Sequence, residues 1–392
     1  MGAATWIEAA AQSRPCLVGA GFALCVVLIW VHKAFERWLF GHGVLEGQRR
    51  SPPLGQFVNT ARGRVHYLFL DKHGDCRNDL ARTGPIAAAE TSRTPTPAPN
   101  AAGTTYGAFD APLLDAEAAT TPMQQARHGE RLEYGGVHGE LVVILHGFAG
   151  SSDPFINDER SGYASFLNAN GYAVLAPDLY GHGHSDGPDT TYSSELFAEQ
   201  LAELCLVFGI SKPFDLFGFS MGGSVALIFA HRYPHLVRRL VLQAPHIVES
   251  PLRPSLQVAL RIPFFRELVA YVIISFIGEN RGNPAAVRAS YRLLLTNLHG
   301  GGRWTSPGRG GSTKEMLRAV EKEDRIQVFM LWGEKDSTVG ITQSRKALRL
   351  APRSQLVTHR HADHMTFADG DPEVRAFFRT QLLSFLRAPD RT

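Results

Sequence analysis

From residue 141 onward, short apolar runs recur at spacings too long for hairpins, and helical stretches fill the gaps. Leu141–Leu145 (LVVIL), Tyr172–Pro177 (YAVLAP), Phe214–Phe219, Arg239–Gln243 (RLVLQ), Gln327–Trp332 (QVFMLW) and Gln355–Thr358 each read as a strand. Residues 160–170, 193–208, 222–233, 342–350 and 372–386 read as helices. Unbroken Val/Ile/Leu runs suit strands buried on both faces, and strands joined through helices pair in parallel. The fold class is therefore α/β, with a mostly parallel central sheet.

Two stretches break the rhythm. The alternation stops at Pro245, and residues 246–324 read as helical, punctuated by Pro and Gly, with a glycine-rich loop at 300–312. An excursion of this length between strands predicts a cap domain. Upstream, residues 60–71 (TARGRVHYLFLD) alternate as one strand, and residues 76–128 are rich in Ala, Thr and Pro. That second stretch offers too little apolar surface to offset its ordering entropy and predicts a disordered insertion. The expected organisation is 1–40, 41–75 as the first part of the core, 76–128 as the insertion, 129–245 as core, 246–324 as cap and 325–392 as the rest of the core.

Residues 1–40 contain an uncharged run, Cys16–Val31 (CLVGAGFALCVVLIWV), flanked by Arg14 and by Lys33 and Arg37. A spanning helix needs about 17–25 apolar residues, so the run sits at the short end; Trp6, Trp30 and Trp38 supply interfacial anchors. The alternatives are a cleaved signal peptide, for which no small-x-small site follows the run, and a buried helix. The expectation is a single-pass anchor in a membrane such as the endoplasmic reticulum. Lys33, Arg37, Arg49 and Arg50 outnumber Arg14, which favours the α/β domain on the cytosolic side.

A net charge of +3 with interspersed signs carries no nucleic-acid footprint, so nucleic acid is not an expected partner. Four cysteines without CxxC spacing call for no disulfide framework.

The chemistry centres on Gly218-Phe219-Ser220-Met221-Gly222, a GxSxG string. Such strings arise by chance, but this one ends an apolar strand and opens a helix, where a sharp turn exposes a serine hydroxyl. Helix-initial N–H groups there face developing negative charge. A serine becomes a useful nucleophile only beside a base that a third group orients. Asp336, just past QVFMLW, and His364, just past the last strand, stand in the order Ser, Asp, His that such an elbow requires; Glu334 is the nearest rival acid. Asp178 follows a strand but precedes the elbow, and is read as fastening its own loop. His359-Arg360-His361-Ala362-Asp363-His364 also spells a dinuclear-metal string, yet no histidine follows that could complete such a site. No metal and no cofactor are expected. His146-Gly147-Phe148 closes the strand LVVIL; the N–H groups of Phe148 and Met221 are the candidate oxyanion donors, and His146 is read as a structural histidine.

HGF, DLYGHGHSD, GFSMGG, LVLQAP and GEKD followed by a late histidine resemble the capped α/β-hydrolase superfamily over about residues 130–392. The pattern is most similar to the esterase/monoacylglycerol-lipase and C–C-bond hydrolase branches. The resemblance implies an α/β-hydrolase fold with a helical cap after the sixth strand, Ser220 as nucleophile, Asp336 as acid, His364 as base, and Phe148 and Met221 as oxyanion donors. Two departures stand out: Asp363 occupies the position before the histidine where the family commonly has Gly, and the Ala/Thr/Pro insertion is atypical. Related epoxide hydrolases and dehalogenases carry Asp where this chain has Ser220.

Residues 263–277 (PFFRELVAYVIISFI) contain an apolar stretch too short to span a bilayer; they read as a cap helix or as a surface that binds acyl chains or dips into the membrane. Together with the anchor they point to a lipid ester such as a monoacylglycerol. The alternatives are acyltransfer to a lysophospholipid, suggested by the H-x4-D string from His364 to Asp369, a small-molecule esterase or C–C hydrolase, and a catalytically silent member of the fold.

Overall fold

The computed structural model describes residues 55–71, 141–155, 162–188, 190, 192–247, 312–366 and 371–390. The N-terminal apolar run, the Ala/Thr/Pro-rich stretch, residues 248–311 of the expected cap and Asp369 lie outside the described residues. Among the described residues, no helix is long and apolar enough to cross a membrane.

Eight strands form one sheet in the order β1-β2-β4-β3-β5-β6-β7-β8. They are β1 (Gln56–Thr60), β2 (Gly63–Leu70), β3 (Leu141–Leu145), β4 (Ala173–Pro177), β5 (Phe214–Phe219), β6 (Val237–Gln243), β7 (Gln327–Gly333) and β8 (Gln355–His359). From β4 through β8 every pairing is parallel, while β1 and β2 are antiparallel to each other and β2 is antiparallel to β4. The single strand expected at 60–71 is therefore the second arm of a hairpin. The chain reverses at Ala61-Arg62, pairing Thr60 with Gly63, and the Thr60 hydroxyl donates to the Gly63 carbonyl at 2.6 Å. The first arm, QFVNT, buries only Val58, so its pattern is too weak to announce a strand.

Alternate strand residues feed two cores. Leu216, Leu240, Leu242, Val328 and Met330 pack on one face, and Phe217, Val241, Phe329 and Leu331 on the other. The first face is covered by α2 (Ser194–Phe208), α3 (Met221–Arg232), α4 (Thr313–Lys322) and α5 (Thr342–Leu350). The second is covered by α1 (Tyr163–Ala169) and α6 (Pro372–Leu386). Capping fixes several ends: Ser193 accepts the Leu196 N–H, Ser312 and Glu315 form a capping box, and Asp371 accepts the Glu373 N–H.

Helix α4 corrects the expected cap boundary. The sequence pattern puts residues 313–322 in the cap, but Met316, Leu317 and Val320 are buried in the main core with the α3 residues Val225 and Phe229. The core is thus joined by Met316, ahead of the expected boundary at 324.

Candidate active site

The site lies where the carboxyl ends of β3, β5, β6, β7 and β8 meet, the edge at which parallel α/β sheets bind ligands. Ser220 stands between β5 and α3 with φ +52° and ψ −114°. A residue with a side chain pays for a positive φ, so the turn must be held from outside. Its N–H donates to the Gln243 carbonyl of β6 at 2.9 Å. The flanking glycines permit the approach: a Cβ on Gly218 would lie 2.4 Å from the Gly222 carbonyl oxygen, and one on Gly222 2.4 Å from that of Leu145. The GxSxG spacing is thus a steric requirement of this turn.

Three of the expected residues form a continuous relay. The Ser220 hydroxyl donates to Nε2 of His364 at 3.1 Å, and Nδ1 of His364 donates to Oδ2 of Asp336 at 2.7 Å. The other carboxylate oxygen of Asp336 accepts the N–H groups of Thr338 and Val339 at 2.8 and 2.7 Å. Ser220 and Asp336 are buried, and the His364 side chain keeps 15% of its surface exposed. Glu334 faces elsewhere, accepting the Thr358 hydroxyl. The three histidines of the metal-like string do not meet at one point: His359 packs on Phe377 and Phe378 with the exposed His361 ring 5.9 Å away, and His364 turns inward to Ser220. Among the described residues, no cluster of three metal-ligating side chains occurs. Asp363 makes a tight turn under the histidine by accepting the Met365 N–H at 2.8 Å, a hydrogen bond glycine has no side chain to make.

The loop bearing Phe148 lies against the elbow; a Cβ on Gly147 would be 3.3 Å from Cβ of Ser220. Met221 is the first residue of α3, at the N-terminal end of its backbone dipole. His146 behaves as a structural residue, donating from Nδ1 to the Gly147 carbonyl at 2.8 Å and accepting the Leu179 N–H on Nε2 at 3.0 Å. Burial pushes its pKa down and keeps it neutral.

Asp178 does more than fasten its own loop. One oxygen accepts the N–H and hydroxyl of Ser152, at 2.7 and 2.8 Å, and so anchors the far end of the Phe148 loop. The other accepts from His66 of β2 and from the His184 N–H, both at 2.8 Å. Burial opposes its charge, but these hydrogen bonds outweigh burial and hold the carboxyl at about 2. The depressed value means its contribution to stability is complete above the ordinary carboxylate pKa of 3.8 and is lost as pH falls toward 2. Asp178→Asn should cost about 2–4 kcal/mol at neutral pH, because its amide cannot accept from both His66 and His184. In denaturant melts the variant should also lose part of the wild-type slope between pH 4 and pH 2. Equal stability of the two proteins at pH 7 would refute the clasp.

Sequence reasoning missed His66 and a second histidine near the relay, His246. The signal for His246 was its place just past the carboxyl end of a core strand.

Residues 140–371 match the family described as the alpha/beta hydrolase fold, and the chain belongs to that family. Lipase 3 of Moraxella sp. is 30% identical over 271 residues, covering 62% of this chain and 78% of the lipase. An uncharacterised protein of Mycobacterium tuberculosis is 26% identical over 263 residues, covering 60% of this chain and 72% of that protein. A crystal structure of a membrane phospholipase A, described as a bacterial virulence factor, shares the fold with a TM-score of 0.50 at 16% identity. That comparison covers 97% of this chain and 99% of the phospholipase.

Proposed function

We propose that this chain is a serine hydrolase that cleaves carboxylic esters through an acyl-enzyme on Ser220, with a single-chain lipid ester such as a monoacylglycerol as substrate. The observation that carries the reading is the unbroken relay from Asp336 through His364 to Ser220, at 2.7 and 3.1 Å. His364 Nε2 takes the hydroxyl proton as Ser220 Oγ attacks the ester carbonyl carbon, and Asp336 stabilises the resulting imidazolium. The tetrahedral oxyanion is held by the N–H groups of Phe148 and Met221, each worth about 3–4 kcal/mol by analogy with measured cases. His364 returns the proton to the departing alcohol, and a water attacks the acyl-enzyme by the same route.

Three features support a lipid substrate: the apolar run at 16–31, the apolar segment at 268–277 and the lipase among the relatives. A cap over Ser220 would enclose a pocket that admits one acyl chain more readily than three. Each buried methylene contributes about 0.8 kcal/mol, so kcat/KM should rise about fourfold per methylene along an ester series until the pocket is filled. A flat series favouring acetate esters would leave a small-molecule esterase or a C–C hydrolase. Acylated lysophospholipid accumulating faster than free acid would make the enzyme an acyltransferase.

The same reading places the enzyme on a membrane through residues 1–40, with the catalytic domain in the cytosol. Full-length protein should resist alkaline carbonate extraction, and protein lacking residues 1–40 should be released. Release of the full-length chain would remove the anchor.

A further inference from the structure

The loop that leaves β6 brings a second imidazole to the base. The rings of His246 and His364 lie 25° from parallel with centroids 6.5 Å apart. Residue 246 is held from several directions. Its N–H donates to the Ser220 carbonyl at 3.2 Å, and its own carbonyl accepts the Ser224 hydroxyl. Two residues earlier, Ala244 sits at φ +43° while its N–H donates to the Leu331 carbonyl of β7 at 2.9 Å. Pro245 fills the space beside Gly223, where an added Cβ would lie 2.6 Å away. A strained alanine is tolerated only where its surroundings over-determine it, and here the strained turn folds the chain back over the elbow. The consequence is that residue 246 meets the base from a backbone fastened to the nucleophile's own turn.

We propose that His246 is a positioning residue for the base of the serine-hydrolase reaction above: a neutral imidazole that supports the His364 ring and stabilises the imidazolium formed at each proton transfer. The inference rests on that functional reading. His246 is only 6% exposed. Burial, and the repulsion of a charged His364, push its pKa down to about 3, so it stays neutral while His364 cycles through its charged form. At 6.5 Å the two rings lie within the range of offset aromatic pairs, and the negative face of a neutral ring attracts the imidazolium beside it. Phe219 provides another ring beside His364, with centroids 4.9 Å apart and planes tilted by 45°. The titratable group seen against His246 is His364, from the loop after β8, which in turn bonds Asp336 of the loop after β7.

The test is the pH profile of kcat/KM for a p-nitrophenyl ester, measured on the full chain as wild type, His246→Leu and His246→Phe. Its acid limb reports protonation of the base in the free enzyme. Without the aromatic face the imidazolium is less stable, so His246→Leu should move the acid limb to lower pH by about half to one pH unit and lower kcat about three- to tenfold. His246→Phe keeps a ring in place and should hold the limb at the wild-type pH. A purely structural role would lower activity in both variants without moving either limb, and that result would overturn the inference, as would equal shifts in both. If His246→Leu does not fold, His246→Met is read in the same way. Fluorophosphonate labelling separates the two readings: a labelled wild type with an unmoved limb removes only the role of His246. An unlabelled wild type removes the serine-hydrolase reading as well.

Discussion

Ser220→Ala should leave a folded protein that neither hydrolyses esters nor takes up a fluorophosphonate, with kcat lower by about 10⁴- to 10⁶-fold. In the proposed mechanism Ser220 Oγ carries the acyl group, and the alanine methyl cannot. A companion substitution separates function from stability. Ser220 holds φ +52°, a conformation that strains any residue with a Cβ by about 1–3 kcal/mol and that glycine accepts freely. Ser220→Gly should therefore be as inactive as the alanine variant yet more stable than wild type by about 1 kcal/mol, read as a raised Tm. Labelling that persists in either variant would sink the assignment of the nucleophile.

The second large effect concerns the acid. Asp336→Asn should cost about 10⁴-fold in kcat with little change in stability, and the hydrogen bonds explain why a near-isosteric change does so much. One oxygen of Asp336 is committed to the N–H groups of Thr338 and Val339. The asparagine carbonyl must take that place, which leaves its NH2 facing Nδ1 of His364. His364 must then accept on Nδ1 and carry its proton on Nε2, toward Ser220, where no basic lone pair remains for the hydroxyl. His364→Ala should lose a similar factor. His359→Ala and His361→Ala should be mild, because one ring packs on Phe377 and Phe378 and the other is exposed. An inactive His361→Ala beside an active His364→Ala would place the base elsewhere.

Much of the site was legible from residue order alone. A strand ending in GxSxG before a helix leaves few geometries open, since Gly218 lets the elbow close on its own backbone and Gly222 admits the carboxyl end of β3. Asp336 and His364 were identifiable because each follows a core strand, and parallel strands bring their carboxyl ends to one edge. The β1–β2 hairpin was half visible: GRVHYLFL has the density of a buried strand, whereas QFVNT, at the sheet's edge, buries one residue.

Local pattern determined the parallel sheet, the elbow and the candidate relay, because strand periodicity and turn sterics act over a few residues. Tertiary structure decided what depends on contacts between distant segments. It put α4 in the core, where Met316, Leu317 and Val320 pack with α3, a contact between distant segments that the stripe alone does not specify. It joined His66 to Asp178 across 112 positions. It also laid His246 beside His364, a meeting of two loops from different strands that no periodicity encodes.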